Sequence, residues 1–192
     1  MTTDEVLAEF RASGALLEGH FKLSSGRHSG HYLQCARVLM NPHRAAMLAE
    51  ALAARIPGHI LDSLDAVASP AMGGIIIGHE MGRALHLDAM FLERPDGEFH
   101  LRRGFALKPG ARVLMVEDVV TTGLSSREAI AAVGREGGKV LAEVALVDRS
   151  NGTVDLGVPF FPLIDIDFPT YAEDEVPPEL AVIPVTKPGS RK

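Results

Sequence analysis

The sequence has 192 residues, the length of one domain with a sizeable core. Apolar residues make up 46% and charged residues 23%; with aromatics at 5% and no Trp, the core must be built from Val, Ile, Leu, Ala and Met. A formal net charge of −6, without a lysine- or arginine-rich block, gives no support to non-specific binding of nucleic acid or of a membrane surface. The one cysteine, Cys35, allows no intramolecular disulfide, and in HYLQCARVL it reads as an inert core or strand residue. The start, MTTDEVLAEF, lacks the basic region and apolar run of a secretory signal, and no apolar stretch approaches bilayer length. A reducing, cytosolic setting is the expectation.

Residues 3–17 carry Val6, Leu7 and Phe10 at helical spacing. Residues 18–40 change character: Gly, Ser and His clusters around Phe21, Leu23, Tyr32 and Leu33 predict short strands and turns. Asn41-Pro42 opens a helix that stops before Pro57-Gly58. From there the chain alternates. Residues 64–68 read as a strand, 73–85 as a helix after a Gly-rich turn, 89–92 and 112–116 as strands, and 124–135 as a helix ended by Gly137-Gly138. Residues 139–147 read as a strand with almost no polar interruption. Apolar strands alternating with helices predict a parallel sheet covered on both faces. The polar run ERPDGEFHLRRGFALKPG is too long for a simple βα connection and is expected to be functional or mobile. From Asp174 onward, proline and charge predict an extended surface segment.

The most informative segment is VLMVEDVVTTGLSS, residues 113–126. An apolar strand runs into Glu117-Asp118; Val119 and Val120 lead to Thr121, Thr122, Gly123, Leu124 and Ser125, and a helix follows. Hydroxylated residues and a glycine at a helix start make an anion site, because N–H groups point outward and the helix dipole favours negative charge. Adjacent carboxylates at the carboxyl end of a strand do the opposite work: they accept hydrogen bonds from sugar hydroxyls and favour positive charge developing on the sugar. The combination suits a 5-phosphorylated ribose. A Walker A loop would need Gly-Lys-Thr/Ser after a strand, and a dinucleotide fingerprint would need G-x-G-x-x-G there; neither occurs. A bare strand–turn–helix with a threonine cap accounts for residues 121–125 but not for Glu117-Asp118.

VLMVEDVVTTGLS resembles the signature of the type I phosphoribosyltransferases: four apolar residues, two acidic, two apolar, then Thr-Thr-Gly. The resemblance implies an α/β fold with a central, mostly parallel sheet flanked by helices. It implies a single domain over 1–192, with a small hood mainly from residues 1–40 plus the C-terminal segment and a core at about 41–165. It also implies that Glu117 and Asp118 contact ribose hydroxyls, and that Val119, Val120, Thr121, Thr122, Gly123, Leu124 and Ser125 hold phosphoribosyl pyrophosphate around its 5-phosphate. Leu124 stands where many relatives have a second Gly, which helical geometry at that residue tolerates.

Further segments resemble the orotate branch of that family. GALLEGHFKLSSGRHSGHYLQC is similar to its hood, and SPAMGGIIIGHE to its pyrophosphate loop, which brings in Ala71, Met72 and Gly73. LRRGF followed by RVLMVED resembles the run from the mobile loop into the signature. ALVDR ends on Arg149, where the family has an arginine that contacts the orotate carboxylate, and FPTYAEDEVPPELAVIPVTKPGSRK resembles the C-terminus of the short bacterial form. The implied reaction transfers the phosphoribosyl group to orotate, giving orotidine 5-phosphate and pyrophosphate on the way to UMP. Thr121, Arg149, Ser25 and Gly26 would hold orotate, and Arg94, Arg102 and Arg103 would close over the pyrophosphate. Mg²⁺ would be held by substrate and water rather than by protein. A twofold homodimer, each polar loop closing over the neighbour's site, is also implied.

One position departs from the pattern: Ser24 stands where many orotate enzymes carry Lys, and Lys22, two residues away on the same strand face, is read as the replacement charge. His28, His31 and His79 read as structural or exposed, and His100 as a candidate donor to the departing phosphate. No His/Cys/Asp cluster has zinc-site spacing. Two rivals are a purine or uracil enzyme, disfavoured by Arg149 and the hood, and a regulatory nucleotide binder, disfavoured by the negative charge and the lack of a helix-turn-helix.

Overall fold

The computed structural model describes residues 1–23 and 25–187; Ser24, with the reading of it as a lysine replacement, and residues 188–192 of the C-terminal segment lie outside the described residues. Helix α1 (Thr3–Ala12) starts on a capping box: the Thr2 hydroxyl accepts from the Glu5 N–H at 3.3 Å and the Glu5 carboxylate from the Thr2 N–H at 2.8 Å. It ends well short of residue 17. The Gly14 N–H bonds Arg11 O and the Ala15 N–H bonds Phe10 O, closing the last turn. Leu16 and Leu17 instead enter strand β1 (Leu16–Lys22), paired antiparallel with β2 (His28–Leu33), and Leu16 is buried there. Cys35 opens a short helix, α2 (Cys35–Leu39), rather than lying in a strand. Asn41 caps α3 (Pro42–Ala53) by accepting from the His43 and Arg44 N–H groups, and α4 (Gly58–Leu61) follows.

The alternating region is β3 (Ala66–Pro70), α5 (Gly74–Leu85), β4 (Asp88–Glu93), β5 (His100–Leu101), β6 (Arg112–Val120), α6 (Leu124–Arg135) and β7 (Lys139–Asp148). A further strand, β8 (Phe160–Asp165), was not anticipated from the sequence. These strands form one sheet in the order β5-β4-β3-β6-β7-β8, parallel except for the β4–β5 hairpin. A second, smaller sheet has the order β10-β1-β2-β9, with β9 at Thr170–Tyr171 and β10 at Val185–Thr186. The C-terminal segment is therefore more than an extended surface strand. It supplies β10 and a short helix, α7 (Pro178–Ala181), whose Leu180 is buried.

The period of two in β6 divides the core. Leu114 and Val116 pack on one face with α1, α3 and α5 through Phe10, Leu48, Leu52, Ile77 and Met81. Val113 and Met115 pack on the other with Ala129, Ala132 and Val133 of α6. Each fully buried aliphatic side chain of this kind stabilises the fold by about 1.5–3 kcal/mol. The winding order also locates a crevice. β3 continues to β4 on one side, whereas β6, on its other side, continues to β7 and β8. The direction reverses between β3 and β6, and in open α/β sheets ligands bind beyond the carboxyl ends of the strands at such a reversal.

Candidate active site

Glu117 and Asp118 stand at that reversal, inside β6 rather than after it. The strand was expected to stop at Val116. It runs on to Val120 because β7 pairs alongside it, with Glu117 opposite Ala145, Val119 opposite Val147 and Val120 opposite Asp148. The pair is thus held by the ladder. Glu117 is 7% exposed and Asp118 is half-buried. Each carboxylate is bonded only locally: Glu117 Oε1 accepts from the Asp118 N–H at 3.1 Å, and Asp118 Oδ1 from the Val119 N–H at 2.9 Å. Burial, then the charge of Asp118, pushes the Glu117 carboxyl up, and burial does the same to Asp118. For both groups burial favours the neutral form, and for Glu117 the neighbouring Asp118 charge acts in the same direction.

The turn after β3 packs directly against the pair. Its Ala71 N–H bonds Leu92 O at 2.8 Å, and the Ala71–Met72 peptide is cis. A Cβ on Gly73 would lie 2.6 Å from Asp118 Oδ1; one on Gly74 would lie 2.9 Å from Val116 O and 3.1 Å from Glu117 Oε1. Only glycine lets this backbone approach so closely, so the turn that follows β3 comes up against the acidic pair at Gly73 and Gly74.

On the other side lies a cavity of about 240 Å³, lined by Arg94, Glu117, Val119, Val120, Thr121, Thr122, Gly123, Leu124, Ser125 and Ser126. Gly123 takes φ 70° and a Cβ there would strike Val154, so the chain can turn from strand to helix only with glycine at this point. The Arg127 N–H bonds Gly123 O at 3.0 Å, and the N–H groups before it in α6 have no carbonyl one turn back within the helix. Leu124 is 56% exposed, so the missing second glycine costs no space. A larger cavity, about 680 Å³, lies at the amino ends of β3 and β4 beside Asp65, Asp88 and Lys108. It is bigger but far from every group just described, and Asp65 is already paired with Arg112.

The polar run is not structureless. β5 folds back on β4, setting His100 opposite Glu93, and Arg135 donates to Phe99 O at 3.0 Å. Arg94 borders the 240 Å³ cavity, is paired with Glu128 of α6 and lies 4.1 Å over the Phe99 ring. Arg103 is paired with Glu93 at 2.7 Å, and Arg102 is exposed; neither lines that cavity.

Arg149 stands just past the end of β7, its N–H bonded to Val120 O at 2.8 Å. Its Nε is buried with no hydrogen-bond partner among the described residues, and burial pulls the guanidinium's pKa down. Beside it is the Phe168 ring, 5.9 Å from the guanidinium and stacked on His31 at 4.6 Å and 10°. The sequence reading gave Phe168 no role and took His31 only as structural or exposed; both lie in segments matched to the family, but no residue type there signals contact with Arg149. Cys35 is buried 4.0 Å from Asp118 O, and burial and both carboxylates push its thiol up, which makes it unreactive.

Ser25 and Gly26 are exposed at the tip of the β1–β2 hairpin, where the Gly26 N–H bonds Leu23 O and Arg27 reaches Thr170. Lys22 is paired with Glu173 at 3.2 Å. His28 is buried against His20 with ring nitrogens 2.6 Å apart, and His79 is exposed.

The chain is 75% identical over 191 residues to the orotate phosphoribosyltransferase of Erythrobacter litoralis, covering 100% of this chain and 99% of that protein. It belongs to the orotate phosphoribosyltransferase family. The orotate phosphoribosyltransferase of Rhizorhabdus wittichii is 71% identical over 191 residues, with 100% and 97% covered. No family model matches the chain. Among solved structures, the orotate phosphoribosyltransferase of Aeropyrum pernix superposes with a TM-score of 0.66 at 25% identity, over 83% of this chain and 93% of that one. The adenine phosphoribosyltransferase of Thermoanaerobacter pseudethanolicus superposes with a TM-score of 0.59 at 19% identity, over 71% and 88%, a likeness of fold. The fold is that of the type I phosphoribosyltransferases.

Proposed function

We propose that this chain is an orotate phosphoribosyltransferase in activity as well as in family: it transfers the 5-phosphoribosyl group of phosphoribosyl pyrophosphate to orotate, releasing pyrophosphate, in pyrimidine nucleotide biosynthesis. The observation that carries this is an acidic pair without an ion-pair partner among the described residues, bordering the helix-start cavity through Glu117, together with a guanidinium just past the neighbouring strand whose Nε is buried without a hydrogen-bond partner among those residues. A ring nitrogen of orotate bonds to C1 of the ribose as the C1–oxygen bond to pyrophosphate breaks. The nitrogen's proton leaves with the pyrophosphate or solvent. Bond breaking leads, and the positive charge on the sugar is met by Glu117 and Asp118. Residues 121–125 hold the 5-phosphate through helix-start N–H groups and hydroxyls. Arg149 meets the orotate carboxylate, with Thr121, Ser25 and Gly26 toward the base. A buried donor left without a carboxylate is costly, which selects orotate over uracil.

Ala71, Met72 and Gly73 border the pyrophosphate, and Arg94, Arg102 and Arg103 close over it and exclude water. His100, opposite Glu93 on the same hairpin, is the candidate donor to the departing phosphate. Mg²⁺ fits this site as an ion carried on substrate oxygens. Glu117 and Asp118 form no ion pair among the described residues, so their field favours a cation beside them, and bound Mg²⁺ would neutralise charge on the pyrophosphate. The chain works as a twofold homodimer with the arginine loop reaching the neighbour's site, and in the cytoplasm. No helix of the described residues is long and apolar enough to cross a membrane. Loss of orotate absorbance with phosphoribosyl pyrophosphate and Mg²⁺ tests the reading. Orotate should be consumed, and adenine, hypoxanthine and uracil should not; equal turnover of uracil removes the orotate assignment and leaves the fold.

A further inference from the structure

Strand β7 reads KVLAEVALVD, and Glu143 is the one ionisable group inside that apolar run. It is fully buried, at 0% exposure. Its Oε1 accepts from the Ser126 hydroxyl at 2.6 Å, and its Oε2 has no partner among the described residues. A carboxyl buried with one hydroxyl for company weakens a fold relative to an apolar side chain of the same volume. Packing alone gives no reason for a glutamate here.

The identity of its partner supplies one. Ser126 lies in the first turn of α6, directly after the residues read as the phosphate cradle, and it lines the same cavity. A serine at this point of a helix would otherwise turn its hydroxyl back onto the local backbone or into the cavity. Bonded to Glu143, it ties the first turn of α6 to the middle of β7. That tie anchors the helix turn that carries Leu124 and Ser125, both lining the cavity. In the register, Glu143 lies opposite Met115 of β6, two residues before Glu117 opposite Ala145, and its charge adds to what raises the Glu117 carboxyl. The carboxyl therefore stands behind both halves of the site without reaching either ligand position.

We propose that Glu143 is a positioning residue: acting through the Ser126 hydroxyl, it holds the first turn of α6 where the phosphate cradle needs it and so sets the affinity for phosphoribosyl pyrophosphate. This rests on the reading of residues 121–125 as the cradle. Burial holds the Glu143 carboxyl at about 7, the Ser126 bond opposing that rise. Near neutral pH it exists in both forms, and in both Oε1 can accept. A glutamine carbonyl can do the same, so the role belongs to the acceptor and not to the charge.

Four variants test this in steady-state kinetics with each substrate varied in turn. Ser126→Ala and Glu143→Leu should each raise KM for phosphoribosyl pyrophosphate roughly fivefold to twentyfold, the scale of one lost hydrogen bond to a charged or partly charged group. KM for orotate should stay within about twofold, and the double variant should be about as impaired as the worse single one, because both remove the same bond. Glu143→Gln should keep KM for phosphoribosyl pyrophosphate within about twofold of the wild type. Thermal unfolding of each variant identifies any that fail to fold; Ser126→Ala, which loses one oxygen atom, carries the test if Glu143→Leu does not fold. The inference is overturned by Ser126→Ala with unchanged KM and only a shifted melting temperature, or by Glu143→Gln as impaired as Glu143→Leu. A wild-type chain that binds no phosphoribosyl pyrophosphate overturns the functional reading and this inference together; wild-type binding with indifferent variants overturns this inference alone.

Discussion

The two halves of the site are built in opposite ways. The acidic pair and the cradle belong to β6 and α6, with Glu117, Gly123 and Ser126 buried and the neighbouring glycines leaving no room for a methyl group. The arginine run between β4 and β6 is exposed, and two of its guanidinium groups are held by carboxylates of their own chain, Arg94 by Glu128 and Arg103 by Glu93. Exposed pairs of this kind are worth little and are easily exchanged for another anion. The buried region is preformed and its electrostatics come from desolvation; in the proposed function the exposed region supplies charges that are exchanged from these pairs to the ligand. Substitutions in the first should therefore disturb stability and turnover together, and substitutions in the second turnover alone.

The largest expected effect is in the buried half. Asp118→Asn should fold and lose roughly two orders of magnitude or more in kcat, as expected when charge stabilisation of the transition state goes. Orotate absorbance and a melting curve measure both. Activity within a factor of about two after Asp118→Asn combined with Glu117→Gln would mean that β6 does not carry the site.

Next comes the exposed half. Arg102→Ala with Arg103→Ala should leave the melting temperature unchanged and abolish most activity. If the loop serves the neighbouring subunit, mixing this variant with Asp118→Asn should restore about a quarter of wild-type activity: half the dimers are mixed and one of their two sites is intact. No recovery, with subunit exchange verified by mass spectrometry, would confine the loop to its own chain or remove it from catalysis.

A smaller effect separates the halves by pH. Glu143 is raised from 4.5 to about 7 in the fold, so the folded chain binds a proton more tightly than the unfolded one. The stability this contributes is full below about pH 4.5 and is lost as pH rises through about 7. Glu143→Gln lacks that loss. Relative to wild type it should gain on the order of 2–3 kcal/mol between pH 5 and pH 8, read from urea midpoints. A difference that does not change with pH would mean that the carboxyl titrates normally. The smallest effect is expected for Glu93→Gln, which releases Arg103: KM for phosphoribosyl pyrophosphate should fall by about twofold with no change in melting temperature. An increase would make Glu93 a contributor to binding rather than a resting partner for Arg103.

By itself, the sequence determined the alternating α/β core and the helix over 124–135, and it marked residues 117–125 as the candidate site. Apolar periodicity, a glycine after two threonines and an acidic pair in an apolar strand are local signals, written within a few residues. What failed was non-local. α1 stops at Ala12 because Leu16 has a strand partner in Leu33, and β6 outruns Val116 because β7 lies beside it. β8 and β10 exist only by pairing with β7 and β1, and a two-residue strand such as Val185–Thr186 has no pattern of its own. The same holds within the site. The closeness of Gly73 to Asp118, the orphaned Nε of Arg149 beside Phe168, and the bond from Ser126 to Glu143 join residues 17 or more positions apart. Tertiary packing alone decides them, because desolvation and hydrogen bonding depend on which groups meet in space, and spacing along the chain does not encode that.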